Sequence, residues 1–304
     1  MDNKLLKDIK LINGFSIPYI GMGTWPIRGK QMENVMEQAL EVGYRMFDTA
    51  DNYGNEDAIG NVIKRHPSLR SDIRIMTKLS DEKNQDTSIP WSSTGKYFYK
   101  TSAYMKTHTV KQVVDMLVEK SLKNLQTDYI DVLIMHWPYI DYIYEIWEEM
   151  IHLYNNGIIK SIGVSNFSIR HLELINKVFD ITPMVNQISI SPIDTKSELL
   201  SYGKNHNIQT ICYAPIQMAS HPYIINSPSV QKLCKKYNVS TNKLLLLWNL
   251  SQGIIPIPKT TSKARMIDNL CRGDVFLGEK DVILLSQLNQ NYQYLPESMY
   301  CPGL

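Results

Sequence analysis

Hydrophobic and polar residues follow two alternating patterns along most of the chain. Short apolar runs, typical of buried strands, are followed by longer segments in which apolar residues recur every three or four positions. In the segment 142–155, Ile143, Ile146 and Trp147 share one helical face, whereas Glu145 falls on the other side. Alternation of this kind predicts a parallel sheet whose strands are joined by helices.

The repeat of strand and helix predicts a (β/α)8 barrel, the TIM-barrel class of α/β fold, in a single domain spanning residues 1–304. The predicted strands cover residues 20–24, 44–48, 73–78, 129–135, 161–165, 184–188, 209–213 and 254–258, and the predicted helices cover residues 31–42, 55–64, 110–125, 142–155, 169–179, 195–205, 228–237, 241–250 and 262–270. A doubly wound sheet is less compatible, because the glycine-rich segment 21–26 lacks the third glycine of a Rossmann motif.

Three segments stand outside this repeat. Residues 9–19 place Asn13-Gly14 between two apolar runs, which predicts a β-hairpin that caps the barrel from below. Residues 79–108 show no period, so we expect either a substrate-covering loop or a mobile insertion. A C-terminal extension follows the last predicted helix, and its tail at 292–296 is expected to influence substrate choice.

The composition is that of a globular protein, and it limits the classes of partner that we expect. The 304 residues are 43% hydrophobic and 20% charged, and a net charge of +2 gives no electrostatic reason to expect nucleic acid. No segment approaches the roughly 18 apolar residues of a membrane span, and the N-terminus has no apolar signal region, so we expect a cytoplasmic protein with no membrane partner. The four cysteines, Cys212, Cys234, Cys271 and Cys301, show no metal-ligand spacing and suit a reducing compartment, so no metal is predicted.

Titratable residues stand at the ends of three successive predicted strands. Asp48 ends one strand and Tyr53 lies on the following turn, Lys78 ends the next strand, and His136 ends the third. The carboxyl ends of barrel strands carry the active site in proteins of this fold. We expect Lys78 to lower the pKa of Tyr53, Asp48 to hold Lys78 charged, and His136 to donate a hydrogen bond or relay a proton. Such a group could polarise and protonate a carbonyl.

Each of these four residues also has a simpler interpretation. Alone, Asp48 could cap a helix, Tyr53 could be a rim residue, Lys78 a solvated strand end, and His136 a core histidine. Their joint placement at one end of the barrel favours catalysis.

At these positions the chain resembles the aldo-keto reductases, over about residues 9–270. The matching motifs are Phe47-Asp48-Thr49-Ala50 with Tyr53-Gly54, Lys78, His136-Trp137-Pro138, Gly163-Val164-Ser165-Asn166-Phe167, Asn186-Gln187, Tyr213-Ala214-Pro215 and Ile257-Pro258-Lys259. The resemblance implies a monomeric barrel that reduces a small-molecule aldehyde or ketone with NADPH. It also implies that Asp48, Tyr53, Lys78 and His136 form the catalytic tetrad.

The resemblance also assigns residues to the cofactor. Ser165, Asn166 and Gln187 are similar to the side chains that hold the nicotinamide carboxamide, and Tyr213 to the ring that stacks on the nicotinamide. Further candidate cofactor contacts are Thr24, Trp25, Ala214, Ile216, Ser220 and Thr260. Trp25 and Trp137 are also expected to form walls of the substrate pocket, although both could simply pack.

The adenosine end of the cofactor is assigned in the same way. Lys259, Ser262 and Arg265 match the positions where the family grips the 2'-phosphate, and Asn269 resembles the adenine contact. Two cations suit a phosphate better than a ribose hydroxyl, so NADPH is expected, with NADH as the less favoured alternative. A solvated positive patch is the simpler interpretation of Lys259 and Arg265.

Two departures from the family pattern and two rival functions remain. Residues 186–192 lack an acid and a histidine common in the family, and the loop 216–227 is too short for a long belt over the pyrophosphate. The resemblance extends to potassium-channel β subunits and to reductase-derived lens proteins. The rivals are therefore an NADPH-binding regulatory protein or a structural protein, each with little turnover.

Overall fold

An eight-stranded parallel sheet lies at the centre of the computed structural model, which describes residues 8–80, 107–272 and 275–293. The strands are β1 (Ile9–Lys10), β2 (Ser16–Ile17), β3 (Met22–Gly23), β4 (Met46–Asp48), β5 (Arg74–Leu79), β6 (Val132–Met135), β7 (Ile162–Ser165), β8 (Val185–Ser189), β9 (Gln209–Tyr213) and β10 (Ile255–Pro256). Strands β3 to β10 pair in sequence order. Most of the predicted 79–108 insertion, and the tail from residue 294, lie outside the described residues.

The first and last strands of the sheet are joined by backbone hydrogen bonds. The N–H of Gly21 donates to the carbonyl of Pro256 at 3.1 Å, and the N–H of Gly23 donates to that of Pro258 at 3.2 Å. The strands approach so closely that a Cβ on Gly23 would lie 2.8 Å from the Ile257 carbonyl oxygen, so only glycine fits there. These bonds close the sheet and confirm the predicted barrel.

Helices connect the strands as the apolar period predicts. They are α1 (Gly29–Val42), α2 (Glu56–Arg65), α3 (Val110–Leu125), α4 (Ile143–Asn155), α5 (Ile169–Asn176), α6 (Ser197–Asn205), α7 (Pro222–Ile225), α8 (Pro228–Tyr237), α9 (Thr241–Ser251), α10 (Lys263–Asn269) and α11 (Glu279–Ser286). Helix α3 begins where predicted because Thr109 and Gln112 form a reciprocal capping box. Among the described helices, none combines the length and apolar character that a bilayer crossing requires.

The predicted N-terminal hairpin covers the amino end of the barrel. Gly14 adopts a φ of 86° in its turn, a conformation that glycine tolerates without strain. Arg74, the first residue of β5, donates from Nε to the Ser16 carbonyl at 3.0 Å, and Asn13 donates to the Lys160 carbonyl at 2.9 Å. The hairpin therefore packs against the amino end of the barrel, opposite the carboxyl ends of the strands.

Candidate active site

A cavity of about 560 Å³ lies at the carboxyl end of the barrel strands. The residues assigned from sequence that line it are Thr24, Trp25, Asp48, Tyr53, His136, Trp137, Ser165, Asn166, Gln187, Tyr213, Ala214, Ile216, Ser220 and Lys259. Thr260, Ser262, Arg265 and Asn269 are not among its lining residues, and neither is Lys78, which is buried next to Asp48 and Tyr53. The structure thus gathers most of the assigned residues at one end of the barrel.

Lys78 is the central hydrogen-bond donor of the site. Its ammonium donates to Asp48 Oδ1 at 2.7 Å, to the Thr49 carbonyl at 2.7 Å and to the Tyr53 hydroxyl at 3.3 Å. An ammonium has three hydrogens, so these three contacts use its full donor capacity. Because Lys78 is only 1% exposed, the ammonium is held in place by the protein alone.

Burial and the neighbouring charges set the protonation of this group. Burial raises the pKa of the Asp48 carboxyl, although Lys78 opposes that shift. Burial favours the neutral amine of Lys78, but attraction to Asp48 and Tyr53 is stronger and raises its pKa overall. The ammonium therefore stays charged.

The expected lowering of the Tyr53 pKa is wrong in its net direction. Burial raises the pKa of the Tyr53 phenol by more than the Lys78 ammonium lowers it, and the Asp48 carboxylate adds to the rise. The cation alone would lower the pKa, but the fold also surrounds the phenol with protein. The phenol consequently holds its proton at neutral pH.

His136 contacts a residue that the sequence did not single out. Its Nδ1 lies 2.5 Å from the Ser80 hydroxyl oxygen, and both residues are buried. Burial and the Lys78 ammonium hold the pKa of His136 well below its usual range, so the imidazole is neutral. Its ring meets that of Tyr53 edge-on, with centroids 6.0 Å apart.

The residues assigned to the nicotinamide are bonded to one another and to the group around Lys78. Gln187 donates from Nε2 to Asp48 Oδ1 at 2.7 Å, and Ser165 donates to the Gln187 carbonyl at 2.8 Å. Asn166 donates to the His136 carbonyl at 3.1 Å and accepts from the Tyr213 hydroxyl at 2.9 Å. This part of the cavity wall is a continuous hydrogen-bond network.

Two tryptophans and an asparagine surround the mouth near Tyr53. Trp25 is 37% exposed and its ring centroid lies 5.0 Å from that of Tyr53, while Trp137 is buried and stacks on His136 at 5.8 Å. Asn52, which was not predicted as a site residue, also lines the cavity. Asn52 Oδ1 and Trp137 Nε1 are buried without a hydrogen-bond partner among the described residues, so the former can accept from a polar ligand and the latter can donate to one.

The residues assigned to the adenosine end lie along one turn and the start of α10. Thr260 accepts a hydrogen bond from the Ser262 N–H at 3.1 Å, and Ser262 caps α10 by accepting from the Arg265 N–H at 3.5 Å. Within the described ranges, the charged heads of Lys259 and Arg265 make neither a hydrogen bond nor an ion pair with another residue. Asn269 is 4% exposed and its Nδ2 has no hydrogen-bond partner in the part of the chain that the structure describes, which leaves a buried donor available.

Asn55 supports the site, although its role could not be identified from sequence. Asn55 donates to Thr24 Oγ1 at 3.0 Å and to the Ile27 carbonyl at 2.8 Å, and it accepts from Thr49 at 2.5 Å. These bonds tie the loops after β3 and β4 together. The available signal was a polar asparagine at the start of a helix, which usually indicates a cap; here Asn55 makes no such capping bond.

Comparison with known proteins identifies the family. The model of the aldo/keto reductase family matches residues 19–290. Methylglyoxal reductase DkgA of Escherichia coli O157:H7 is 32% identical over 292 residues, which cover 95% of this chain and 96% of that protein. Glyoxal reductase of Bacillus subtilis (strain 168) is 31% identical over 297 residues, covering 97% and 98% of the two chains.

A solved structure agrees with these sequence relatives. The crystal structure of a Bombyx mori aldo-keto reductase in complex with NADP matches with a TM-score of 0.79 and 26% identity, covering 96% of each chain. The chain therefore belongs to the aldo/keto reductase family. It is an NAD(P)H-dependent oxidoreductase that reduces carbonyl compounds, and the rival regulatory and structural functions are not favoured.

Proposed function

We propose that the chain is an NADPH-dependent reductase of small aldehydes and ketones in which Tyr53 supplies the proton. The observation that carries this proposal is the three-way contact of Lys78 with Asp48, Thr49 and Tyr53 beside the cavity. When bound, NADPH supplies the hydride that adds to the carbonyl carbon. The chain's own residues then stabilise and protonate the negative charge that develops on the carbonyl oxygen.

Tyr53 is the group that neutralises that charge. Its phenol is protonated at neutral pH, faces the cavity and lies 3.3 Å from the Lys78 ammonium. After the phenol gives up its hydrogen, the phenolate is stabilised by the adjacent cation. Asp48 keeps Lys78 charged and oriented, and the neutral His136 contributes a hydrogen bond to the substrate oxygen. Positioning and electrostatic stabilisation carry the catalysis.

The choice of NADPH over NADH rests on Lys259 and Arg265. Their charges are not neutralised by a carboxylate of the described chain, whereas nearby Lys263 pairs with Glu41 at 2.6 Å. The unpaired Nδ2 of buried Asn269 suits an adenine acceptor. These residues fit the phosphorylated adenosine of NADPH, with Ser262, Thr260 and Lys259 at the turn before α10. The contacts Ser165, Asn166, Gln187 and Tyr213 fit the nicotinamide end.

The substrate is proposed to be a small carbonyl compound held between Trp25 and Trp137. The names of the relatives indicate that those enzymes reduce methylglyoxal or glyoxal. The indole N–H of Trp137, which has no partner among the described residues, favours a substrate with a second oxygen next to its carbonyl, because that oxygen can accept from the N–H. We further propose a cytoplasmic monomer folded as a single domain.

The experiment that tests this function is the loss of reduced-nicotinamide absorbance with a panel of carbonyl compounds. Glyoxal and methylglyoxal are compared with an apolar aldehyde of similar size and with a steroid ketone. Tyr53→Phe should lower kcat by roughly 100-fold or more, the range that general acid catalysis covers, while NADPH affinity is kept. Tyr202→Phe, which removes a hydroxyl that accepts from Asn176 outside the cavity, serves as the matched control.

Retention of normal turnover by Tyr53→Phe would refute the assigned proton donor. Binding of NADPH without oxidation by any carbonyl of the panel would favour the regulatory alternative over the enzyme.

A further inference from the structure

Ser80 and His136 are brought together by the register of two neighbouring strands. Leu79 of β5 is the register partner of Met135 of β6, and Ser80 and His136 are the next residues of their chains. The Ser80 hydroxyl oxygen lies 2.5 Å from His136 Nδ1, and the two residues are 1% and 9% exposed. This contact is a property of the barrel and does not require a ligand.

The contact restricts the position of the imidazole proton. A neutral imidazole carries one hydrogen, on either Nδ1 or Nε2, and the hydrogen bond to one nitrogen decides which nitrogen holds it. His136 lines the cavity, and none of the hydrogen bonds among the described residues involves its Nε2. If Ser80 donates to Nδ1, then Nε2 carries the proton and presents a donor to the cavity.

Asp51 is the other group that could take the hydroxyl hydrogen of Ser80. Its Oδ1 already accepts the backbone N–H of Ser80 at 3.2 Å. Burial and the nearby Glu56 raise the pKa of Asp51 well above its ordinary value, and hydrogen bonds from the Ser80 side chain and N–H, together with the Lys120 charge, oppose that rise. A carboxyl that keeps its own hydrogen can donate it to the Ser80 hydroxyl oxygen, and the hydroxyl hydrogen of Ser80 is then directed to His136 Nδ1, which lies 2.5 Å away.

We propose that Ser80 is a positioning residue that donates its hydroxyl hydrogen to Nδ1 of His136 and so places the ring proton on Nε2, at the cavity. Asp51 orients Ser80 through its backbone N–H. The consequence for the reaction rests on the proposed function: Nε2–H and the Tyr53 hydroxyl then both donate toward one carbonyl oxygen. The other tautomer would present a nitrogen lone pair, which repels that oxygen.

The direct test is heteronuclear NMR of the histidine ring nitrogens in the isotopically labelled protein without substrate. The His136 signals are assigned by their loss in His136→Asn. We expect the wild type to carry its proton on Nε2, Ser80→Ala to lose the preference for one nitrogen, and Ser80→Thr to restore it because the hydroxyl is kept. Ser161→Ala removes another buried hydroxyl and should leave the His136 signals unchanged.

Asp51→Asn separates the two possible destinations of the Ser80 hydrogen. The asparagine oxygen can still accept the Ser80 N–H, so the proton on His136 should stay on Nε2. A wild-type proton on Nδ1 would overturn the proposal, and so would a Ser80→Ala spectrum identical to that of the wild type. The measurement needs no turnover, so its failure is distinguishable from failure of the proposed reductase activity.

The kinetic test uses the same variants. Ser80→Ala should lower kcat/KM about tenfold, the value of one aligned hydrogen bond, with NADPH affinity unchanged. Ser80→Thr should recover most of that loss. A tenfold loss in Ser80→Ala with an unchanged histidine spectrum would assign Ser80 a structural role and contradict the inference.

Discussion

The two ends of the candidate site are built in opposite ways. Around Lys78, the ammonium is 1% exposed and its three hydrogens are all donated to other groups of the protein. Around α10, Lys259 and Arg265 are exposed, and their charges have no carboxylate partner within the described residues. One cation is therefore neutralised by folding, whereas the charges of the other two remain open to solvent.

We therefore expect the Lys78 end to affect the reaction step and the α10 end to affect the affinity for the cofactor. A preorganised donor group needs no reorganisation when charge develops beside it, so it serves the reaction step. Exposed cations gain most when an anionic ligand arrives, and salt screens that gain over a Debye length of about 8 Å at physiological ionic strength. Changes at the Lys78 end should alter turnover and stability, and changes at the α10 end should alter cofactor binding and its salt dependence.

Lys78→Met should have the largest effect. The substitution leaves Asp48 buried without its cation, so we expect kcat to fall at least ~100-fold and the free energy of unfolding to fall by about 3 kcal/mol at neutral pH. The stability loss should shrink in acid as Asp48 becomes protonated. Steady-state kinetics and denaturant titration measure the two effects.

Lys177→Met provides the control for that substitution, because its pair with Glu173 is exposed on α5 and its neighbouring turn. Equal stability losses in the two variants would contradict the view that the Lys78 group is held by burial.

The double variant Lys259→Ala with Arg265→Ala should have the second largest effect. Loss of two charge-assisted bonds is expected to raise the Kd of NADPH roughly 10- to 100-fold, while the Kd of NADH changes little. Added salt should weaken NADPH binding in the wild type and have less effect in the variant, as titration of protein fluorescence would show. Lys263→Ala, whose lysine already pairs with Glu41, is the matched control. Equal losses for the two cofactors would refute the phosphate assignment.

Asp51→Asn should have the smallest effect, and it should be visible only in stability. Burial and Glu56 raise the pKa of Asp51 above its ordinary 3.8. A raised folded pKa contributes stability below the unfolded pKa, and that stability is lost as pH rises through the folded pKa. The asparagine avoids this loss, so the variant should be more stable than the wild type at neutral pH.

The gain from Asp51→Asn should be about 1.4 kcal/mol for each unit by which the pKa is raised, and it should vanish below pH 3.8. Denaturant titrations across pH measure it, and Asp72→Asn, at an exposed aspartate, should show no such trend. If the gain in stability does not depend on pH, folding does not raise the pKa of Asp51.

The apolar period predicted the barrel because each strand and helix buries a face with a recognisable repeat. The predicted helix 110–125 agrees with α3 to the residue, and the predicted helix 169–179 ends earlier, at Asn176. Helices α7 and α11 were not predicted. Helix α7 is a single turn, and Val282 to Leu285 of α11 are consecutive apolar residues without a helical period.

The candidate site was predictable where a residue lies at a strand end, as Asp48, Lys78 and His136 do. Ser80 and Asn55 were missed because their partners are remote in sequence and depend on strand register, which an apolar pattern does not specify at the level of single atoms. The net pKa of Tyr53 was missed for a related reason. Burial is a sum over many neighbours, and a sequence shows only the charged ones.

The bonds from Gly21 and Gly23 to the last strand have a consequence for association between molecules. A sheet that meets itself leaves no row of unsatisfied amides and carbonyls on which a strand of another molecule could align. Growth of fibrils by addition to this sheet would first require the seam between β3 and β10 to open. A bulkier residue at Gly23 would weaken that seam. We expect such a variant to aggregate on mild heating.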